Sequence, residues 1–238
     1  ASCRALGRWP ETEAILEAEV DRLRSAGRQS ELAAVILEFA DASSTPLADA
    51  PPGSPQLDYA KARTLYGQVL LMDAPADLLE TAQWREGWCA AQMEDWKGAV
   101  NSWRAWLTRW DPGFTHDAAR PAATALGPPA VPARVFEVRL YYARALAEAG
   151  DGAGALRVLQ DLEAELAAYL HGTGALFPLL PRPDSARAAF LRELLGETLY
   201  RVGLMASRGG DRAQEIGAYR RFLEQFPRHP RAAEAAFG

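Results

Sequence analysis

Several features that mark particular protein classes are scarce in this 238-residue sequence. Its two cysteines, Cys3 and Cys89, are too few for a disulfide framework or for a zinc site built from thiolates alone. The best apolar run, 32–37, is far shorter than the roughly 20 residues of a membrane-spanning helix. Alternating strand-like runs bounded by short turns are nearly missing. We therefore expect a folded helical protein with no membrane span.

The net charge and the N-terminal residues give further information on the kind of protein and its partners. The 31 acidic and 26 basic side chains give a net charge of −5, whereas phosphate contacts need a basic surface, so we expect no nucleic-acid partner. Only Lys61 and Lys97 are lysines, and this bias towards arginine is typical of GC-rich bacterial genes. A secretory signal is either absent or already removed. Residues 1–3 resemble the end of a lipoprotein signal, but a buried helical Cys3 is the favoured interpretation.

Residues that commonly carry chemistry do not form a recognisable site. His116, His171 and His229 fall in loops or at a helix start, without metal-ligand spacing, and are expected to be solvated. The glycine-rich segment 150–154 follows a helical pattern rather than a strand, so it is interpreted as a turn and not a nucleotide loop. Cys89 has the pattern of a core thiol. The sequence thus predicts no catalytic residues, no metal and no cofactor, and the protein is predicted not to be an enzyme.

Apolar residues recur at helical spacing through most of the chain. This pattern predicts helices near 10–26, 30–42, 57–73, 76–92, 95–110, 132–149, 152–170, 184–208 and 211–226, and the start of another near 229. Proline-rich segments at 43–55, 111–132 and 171–183 are predicted to be loops, because proline removes a backbone donor and fixes φ. The fold class is therefore all-α.

One register of residues occurs three times along the chain. Intervals of 8, 4 and 4 residues separate Gly87, Asp95, Ala99 and Trp103. The same intervals separate Ala143, Asp151, Ala155 and Leu159, and they occur again between Gly203, Asp211, Glu215 and Tyr219. This spacing predicts a helical hairpin. A small residue in the first helix lets the second helix approach closely, and the aspartate after the turn caps the second helix.

At these residues the sequence resembles the tetratricopeptide-repeat family. The resemblance implies a right-handed α-solenoid of helical hairpins, here with long proline-rich loops between helices. We expect one domain over 1–238, irregular in 1–56, with recognisable repeats in 57–230 and both ends cut within a repeat. Glu215 occupies a position at which the family has a small residue, so that hairpin is expected to be splayed or shifted by one residue.

Tryptophan is concentrated in one part of the chain, since six of the seven lie between residues 84 and 110. Trp103, Trp106 and Trp110 share one helical face and are predicted to be core. Trp84 and Trp88 fall on the first-helix stripe that lines the concave groove in the tetratricopeptide-repeat family. They are predicted either to anchor a partner or simply to pack between repeats.

The resemblance implies a ligand groove along the same stripe of each hairpin. Its candidate residues are Trp84, Trp88, Gln92, Leu140, Arg144, Tyr200, Leu204 and Arg208. The lysines and asparagines with which one branch of the family clamps a terminal carboxylate are not at these positions, so an extended peptide with aromatic or aliphatic side chains is the expected ligand.

Two functions are compatible with these residues. The first is a non-catalytic scaffold that binds a peptide or protein partner in the groove. The alternative is an α-helical carbohydrate binder or glycan-acting enzyme, in which the tryptophans stack on sugar rings. The segment 218–227 is similar to repeats of bacterial cell-envelope proteins, and that resemblance favours a periplasmic or envelope location.

Overall fold

The computed structural model of this chain describes residues 9–46, 57–114 and 131–237. In these ranges every element of regular secondary structure is a helix, which confirms the all-α prediction. The helices are α1 (Trp9–Ser25), α2 (Gln29–Ser44), α3 (Tyr59–Leu70), α4 (Ala76–Gln92), α5 (Trp96–Trp110), α6 (Val135–Glu148), α7 (Gly152–Leu170), α8 (Ser185–Arg208), α9 (Arg212–Gln225) and α10 (Ala232–Phe237). Much of the loop segments predicted at 43–55 and 111–132 lies outside the described residues.

The helix boundaries differ from the predicted ones by up to three residues, mainly at α3, α6 and α10. Helix α3 begins two residues later than predicted because the Asp58 side chain caps it, accepting a hydrogen bond from the Lys61 amide at 2.8 Å. Helix α10 begins at Ala232, after a turn in which the His229 amide donates to the Phe226 carbonyl. Side-chain capping and turn hydrogen bonds thus determine where these helices begin, which the helical periodicity of the sequence does not specify.

The chain divides into two compact units, Ala1–Ser102 and Trp103–Gly238. In the first unit, helices α1 to α4 pack in chain order, and α2 also contacts α4. In the second unit, helices α6 to α10 pack in chain order, and α6 also contacts α8. Each unit therefore consists of neighbouring helical hairpins whose first helices touch, as in the repeat architecture that the sequence predicts.

The predicted aspartate caps are present at all three hairpin turns. Asp95, Asp151 and Asp211 accept hydrogen bonds from backbone amides three residues ahead, at 3.0, 2.8 and 3.0 Å respectively. Each carboxylate satisfies an amide that the first turn of a helix leaves without a partner. The repeated aspartate therefore fixes where the second helix of each hairpin begins.

The hairpin of α8 and α9 contains a close helix contact and a buried carboxylate. A Cβ added to Gly203 would lie 2.5 Å from Cε1 of Tyr219, so the glycine permits the close approach of the two helices. Glu215 is buried and accepts hydrogen bonds from Ser207 and, at 2.9 Å, from Arg212, which lower the pKa of its carboxyl. The buried carboxylate is therefore satisfied in place, while the splay or one-residue shift expected for this hairpin stays a prediction.

Candidate functional site

The tryptophans of α4 and α5 differ in burial as the sequence predicts. Trp103 is 1% exposed, and Trp106 and Trp110 are also buried. Trp84 and Trp88, in contrast, are half-buried. The α5 side chains belong to the core, whereas α4 presents part of two indole rings to solvent.

Trp84 and Trp88 form a pair on α4. Their ring centroids are 6.2 Å apart, and the ring planes are tilted by 42°. Because a helix turns about 100° per residue, positions four apart lie roughly 40° from each other and share a face. The pair therefore provides one continuous aromatic surface, of a size suited to an apolar side chain.

Arg85 shares this side of α4 with the tryptophan pair in angle, and Asp41 of α2 lies beside Arg85. Arg85 follows Trp84 on α4, and its Nε lies 3.6 Å from Oδ1 of Asp41 on α2. The two side chains are 32% and 38% exposed. On the helix Arg85 lies roughly 60° from Trp88, and the exposed Gln92 falls between them in angle, one turn further on. Aromatic and charged groups therefore share one stripe of α4.

The Asp41 carboxylate accepts a hydrogen bond from the buried core of the first unit. Tyr66 is fully buried, and its hydroxyl donates to Oδ1 of Asp41 and lies 3.0 Å from the Ser44 hydroxyl. Burial, together with the nearby Asp41 carboxylate, raises the pKa of Tyr66. The phenol therefore stays protonated and keeps donating to Asp41 at any ordinary pH.

The carboxylate of Glu86 on α4 serves a different contact. Glu86 accepts from the Ser102 hydroxyl and, at 3.3 Å, from Nε of Arg63. Nη1 of Arg63 also donates to Asp95 at 2.7 Å. Since Glu86 lies about 200° around the helix from Trp84, it does not converge with the aromatic surface.

The candidate groove residues of the second unit fall into two groups. Leu140 and Tyr200 are buried, at 7% and 8% exposure. The Tyr200 hydroxyl donates to Glu234 of α10 at 2.7 Å. Both side chains serve mainly as core, and Tyr200 is covered because α10 packs beyond it. This leaves them little surface to offer a partner.

Arg144, Leu204 and Arg208 remain accessible in the second unit. The two arginines are exposed and Leu204 is half-buried. With the α4 stripe of the first unit, they are the predicted groove residues whose side chains reach solvent. The structure describes each unit by itself, so the continuous groove stays a prediction.

The structure describes one cysteine and two histidines, whereas Cys3 and His116 lie outside the described residues. Cys89 is buried, and burial raises the pKa of its thiol to about 12. The His229 side chain is not solvated as expected but packs edge-on against Phe222, with ring centroids 5.2 Å apart. His171 is exposed at the end of α7. Among the described residues, no group of three potential ligands could hold a metal ion.

The Asp41, Tyr66 and Arg85 contacts are the part of the site that the sequence did not predict. Asp41 and Arg85 lie on different helices and are far apart in sequence, so helical periodicity carries no signal for their meeting. Only the stacking of α2 against α4 brings them together.

Comparisons with known proteins bear on the second unit. No helix in the described ranges is both long enough and apolar enough to cross a membrane. A search among curated proteins found no match. A family model described as a tetratricopeptide repeat matches residues 197–229, which span most of α8 and all of α9. The hairpin with the Gly203 contact and the Asp211 cap thus matches a tetratricopeptide repeat, which supports the predicted resemblance to that family over these residues.

Proposed function

We propose that this protein is a non-catalytic scaffold that binds a peptide or protein partner through the exposed stripe of α4. A protein-interaction role is the general function that a tetratricopeptide repeat supports. The observation that carries the proposal is the half-burial of Trp84 and Trp88, in contrast to Trp103 and Trp106 of α5, which are fully buried.

The energetic argument concerns indole surface. A tryptophan side chain buries a large area, yet it has only two rotatable bonds to immobilise. Such residues are over-represented among those whose truncation weakens an interface by 2 kcal/mol or more. Two adjacent, partly exposed indoles are therefore the strongest anchor candidates in the described part of the first unit.

The predicted ligand is an extended segment with aromatic or aliphatic side chains. Arg144, Leu204 and Arg208 would contact its continuation if the groove extends to the second unit. Their exposure supports such a role, because side chains already committed to the core cannot contact a partner without rearrangement.

A carbohydrate-binding or glycan-acting function is not favoured. Glycoside hydrolysis typically needs two carboxylates that converge on the sugar, and such a pair beside the aromatic surface would favour the alternative. On α4, Glu86 is instead engaged by Arg63 and Ser102, away from the tryptophan pair. Asp41 is the carboxylate that adjoins the stripe, and it already accepts from Tyr66.

The proposal can be tested with a displayed library of random peptides of about 12 residues, selected on the full chain. The Trp84→Ala/Trp88→Ala variant is expected to lose most binding of the selected peptides, while circular dichroism stays unchanged. Trp96→Ala is the matched control, because Trp96 is also half-buried but lies at the start of α5. Equal peptide binding by wild type and the double variant would refute the assignment of the site.

The bacterial cell-envelope location remains a prediction from the resemblance of one segment. Fractionation of cells that express the full gene product, with antibody detection, provides its test. Recovery wholly with the cytoplasmic fraction would contradict this prediction while leaving the binding site unaffected.

A further inference from the structure

Arg85 uses less of its guanidinium in contacts with the protein than Arg139 and Arg187 do. Arg139 donates to both oxygens of Asp111, at 2.6 and 2.8 Å, and Arg187 donates to both oxygens of Glu137, at 2.9 and 3.1 Å. Arg85 has one ion pair, over 3.6 Å, and its solvent-inaccessible Nε has no hydrogen-bond partner in the described structure. The enclosed Nε cannot reach a ligand, but a guanidinium carries four further N–H donors on its two Nη atoms, and 32% of this side chain is exposed.

Asp41 supplies acceptor capacity at the same place. Its Oδ1 accepts from Tyr66 and faces Arg85, whereas its Oδ2 accepts from no protein donor within the described residues. An ionised carboxylate has about four acceptor sites. Asp41 and Arg85 are each about a third exposed, so parts of both side chains reach solvent at the α2 and α4 contact.

An amide is the group that matches both. Its carbonyl accepts hydrogen bonds and its N–H groups donate them. A ligand carboxylate could pair with Arg85 but would meet the like charge of Asp41, on a protein whose net charge is already −5. A ligand ammonium could pair with Asp41 but would meet the like charge of Arg85.

We propose that Asp41 and Arg85 bind the side-chain amide of a glutamine or asparagine in the peptide partner. An apolar or aromatic side chain of the same peptide packs on Trp84 and Trp88. This inference rests on the proposed function, because it assigns a sequence preference to the same stripe. It makes Arg85 a specificity-determining residue and the tryptophans the main source of affinity.

The spacing of the two ligand side chains follows from strand geometry. In an extended peptide, side chains two residues apart point to the same side and lie roughly 7 Å apart. Arg85 and Trp88 are neighbours on one face of α4. The amide is therefore placed two residues from the apolar side chain, on either side of it.

Oriented peptide libraries test this pattern. Each nonapeptide is labelled with fluorescein and has phenylalanine at its central position. The two positions that lie two residues before and after this phenylalanine carry one fixed residue type, and every other position carries a mixture of amino acids. Fluorescence anisotropy with the full chain compares glutamine, glutamate and leucine at the fixed positions. The glutamine library is expected to bind about five to ten times more tightly than the other two.

Variants of Arg85 and Lys97 test whether the preference for glutamine depends on Asp41 and Arg85. Arg85→Gln is expected to bring the glutamine and leucine libraries within about twofold of each other. Lys97→Gln removes the same charge from an exposed residue of α5 and is expected to keep the full preference. If Arg85→Gln lowers the melting temperature, Arg85→Lys keeps the charge but not the planar fork and is expected to lose most of the preference.

The outcomes separate this inference from the proposed function. Tighter binding of glutamate than glutamine would overturn the amide assignment. Equal binding of glutamine and leucine, still lost in Trp84→Ala/Trp88→Ala, would overturn it while leaving the peptide site intact. Failure of every library to bind better than a serine-substituted library would overturn both.

Discussion

Helices α4 and α5 are consecutive and both rich in tryptophan, yet they use the residue differently. In α5, Trp103 and Trp106 are almost fully buried. In α4, Trp84 and Trp88 stay half-buried, with tilted rings whose centroids are 6.2 Å apart. The difference shows that tryptophan content by itself does not mark a binding site. What distinguishes the α4 pair is that part of its indole surface reaches solvent.

Ion pairs provide a second contrast of the same kind. In the second unit, Arg139 and Asp111 form a bidentate pair with side-chain exposures of 6% and 0%. In the first unit, Arg85 and Asp41 are a third exposed and 3.6 Å apart. The first pair holds the segment after α5 against α6. The second pair has capacity left for a ligand.

The largest expected effect is that of Trp103→Ala. Removal of a fully buried indole leaves a cavity that neighbouring side chains fill only partly, so we expect a loss of about 3 to 5 kcal/mol in unfolding free energy. Chemical denaturation followed by circular dichroism measures it. A loss below about 1 kcal/mol would show that the α5 tryptophans are not core and would remove the contrast between the helices.

Arg139→Met is expected to cost about 3 kcal/mol or more, because it leaves the Asp111 carboxylate buried without its partner. The matched variant Arg139→Met/Asp111→Asn removes both charges and should recover part of this loss. Denaturation midpoints of the single and double variants form the measurement. Full additivity of the two substitutions would contradict the buried pair.

Trp84→Ala/Trp88→Ala tests the opposite side of the tryptophan contrast. We expect it to weaken binding of a selected peptide by about 2 kcal/mol or more, because the pair would be an interface anchor. The melting temperature should change little compared with that of Trp103→Ala. Isothermal titration and thermal denaturation give the two numbers. If the double variant melts as early as Trp103→Ala, the α4 tryptophans are core and the binding proposal loses its main residues.

Local features of the fold could be predicted from the sequence, because they depend on residues close together in the chain. The caps at Asp95, Asp151 and Asp211 each involve an amide three residues away. The helical periods and the close approach at Gly203 likewise follow from one hairpin's own residues.

The candidate site could be predicted only in part. Trp84 and Trp88 were identified from their stripe, but the same stripe also pointed to Tyr200, which α10 covers and Glu234 engages. Position on a helix face does not reveal what packs over that face. The meeting of Asp41 with Arg85 depends on how two hairpins stack, which residue spacing within either helix cannot encode.

The smallest expected effect is on stability, in Arg85→Gln. Partly exposed ion pairs contribute about 0 to 1 kcal/mol, since solvent screens them and ordering the side chains costs entropy. The 3.6 Å separation places this pair at the weak end, so we expect a change within about 0.5 kcal/mol. Urea denaturation beside Arg139→Met measures the contrast directly. A loss near that of Arg139→Met would show that Arg85 is a structural residue with no donor capacity to spare, and a loss near zero leaves its guanidinium available for a ligand.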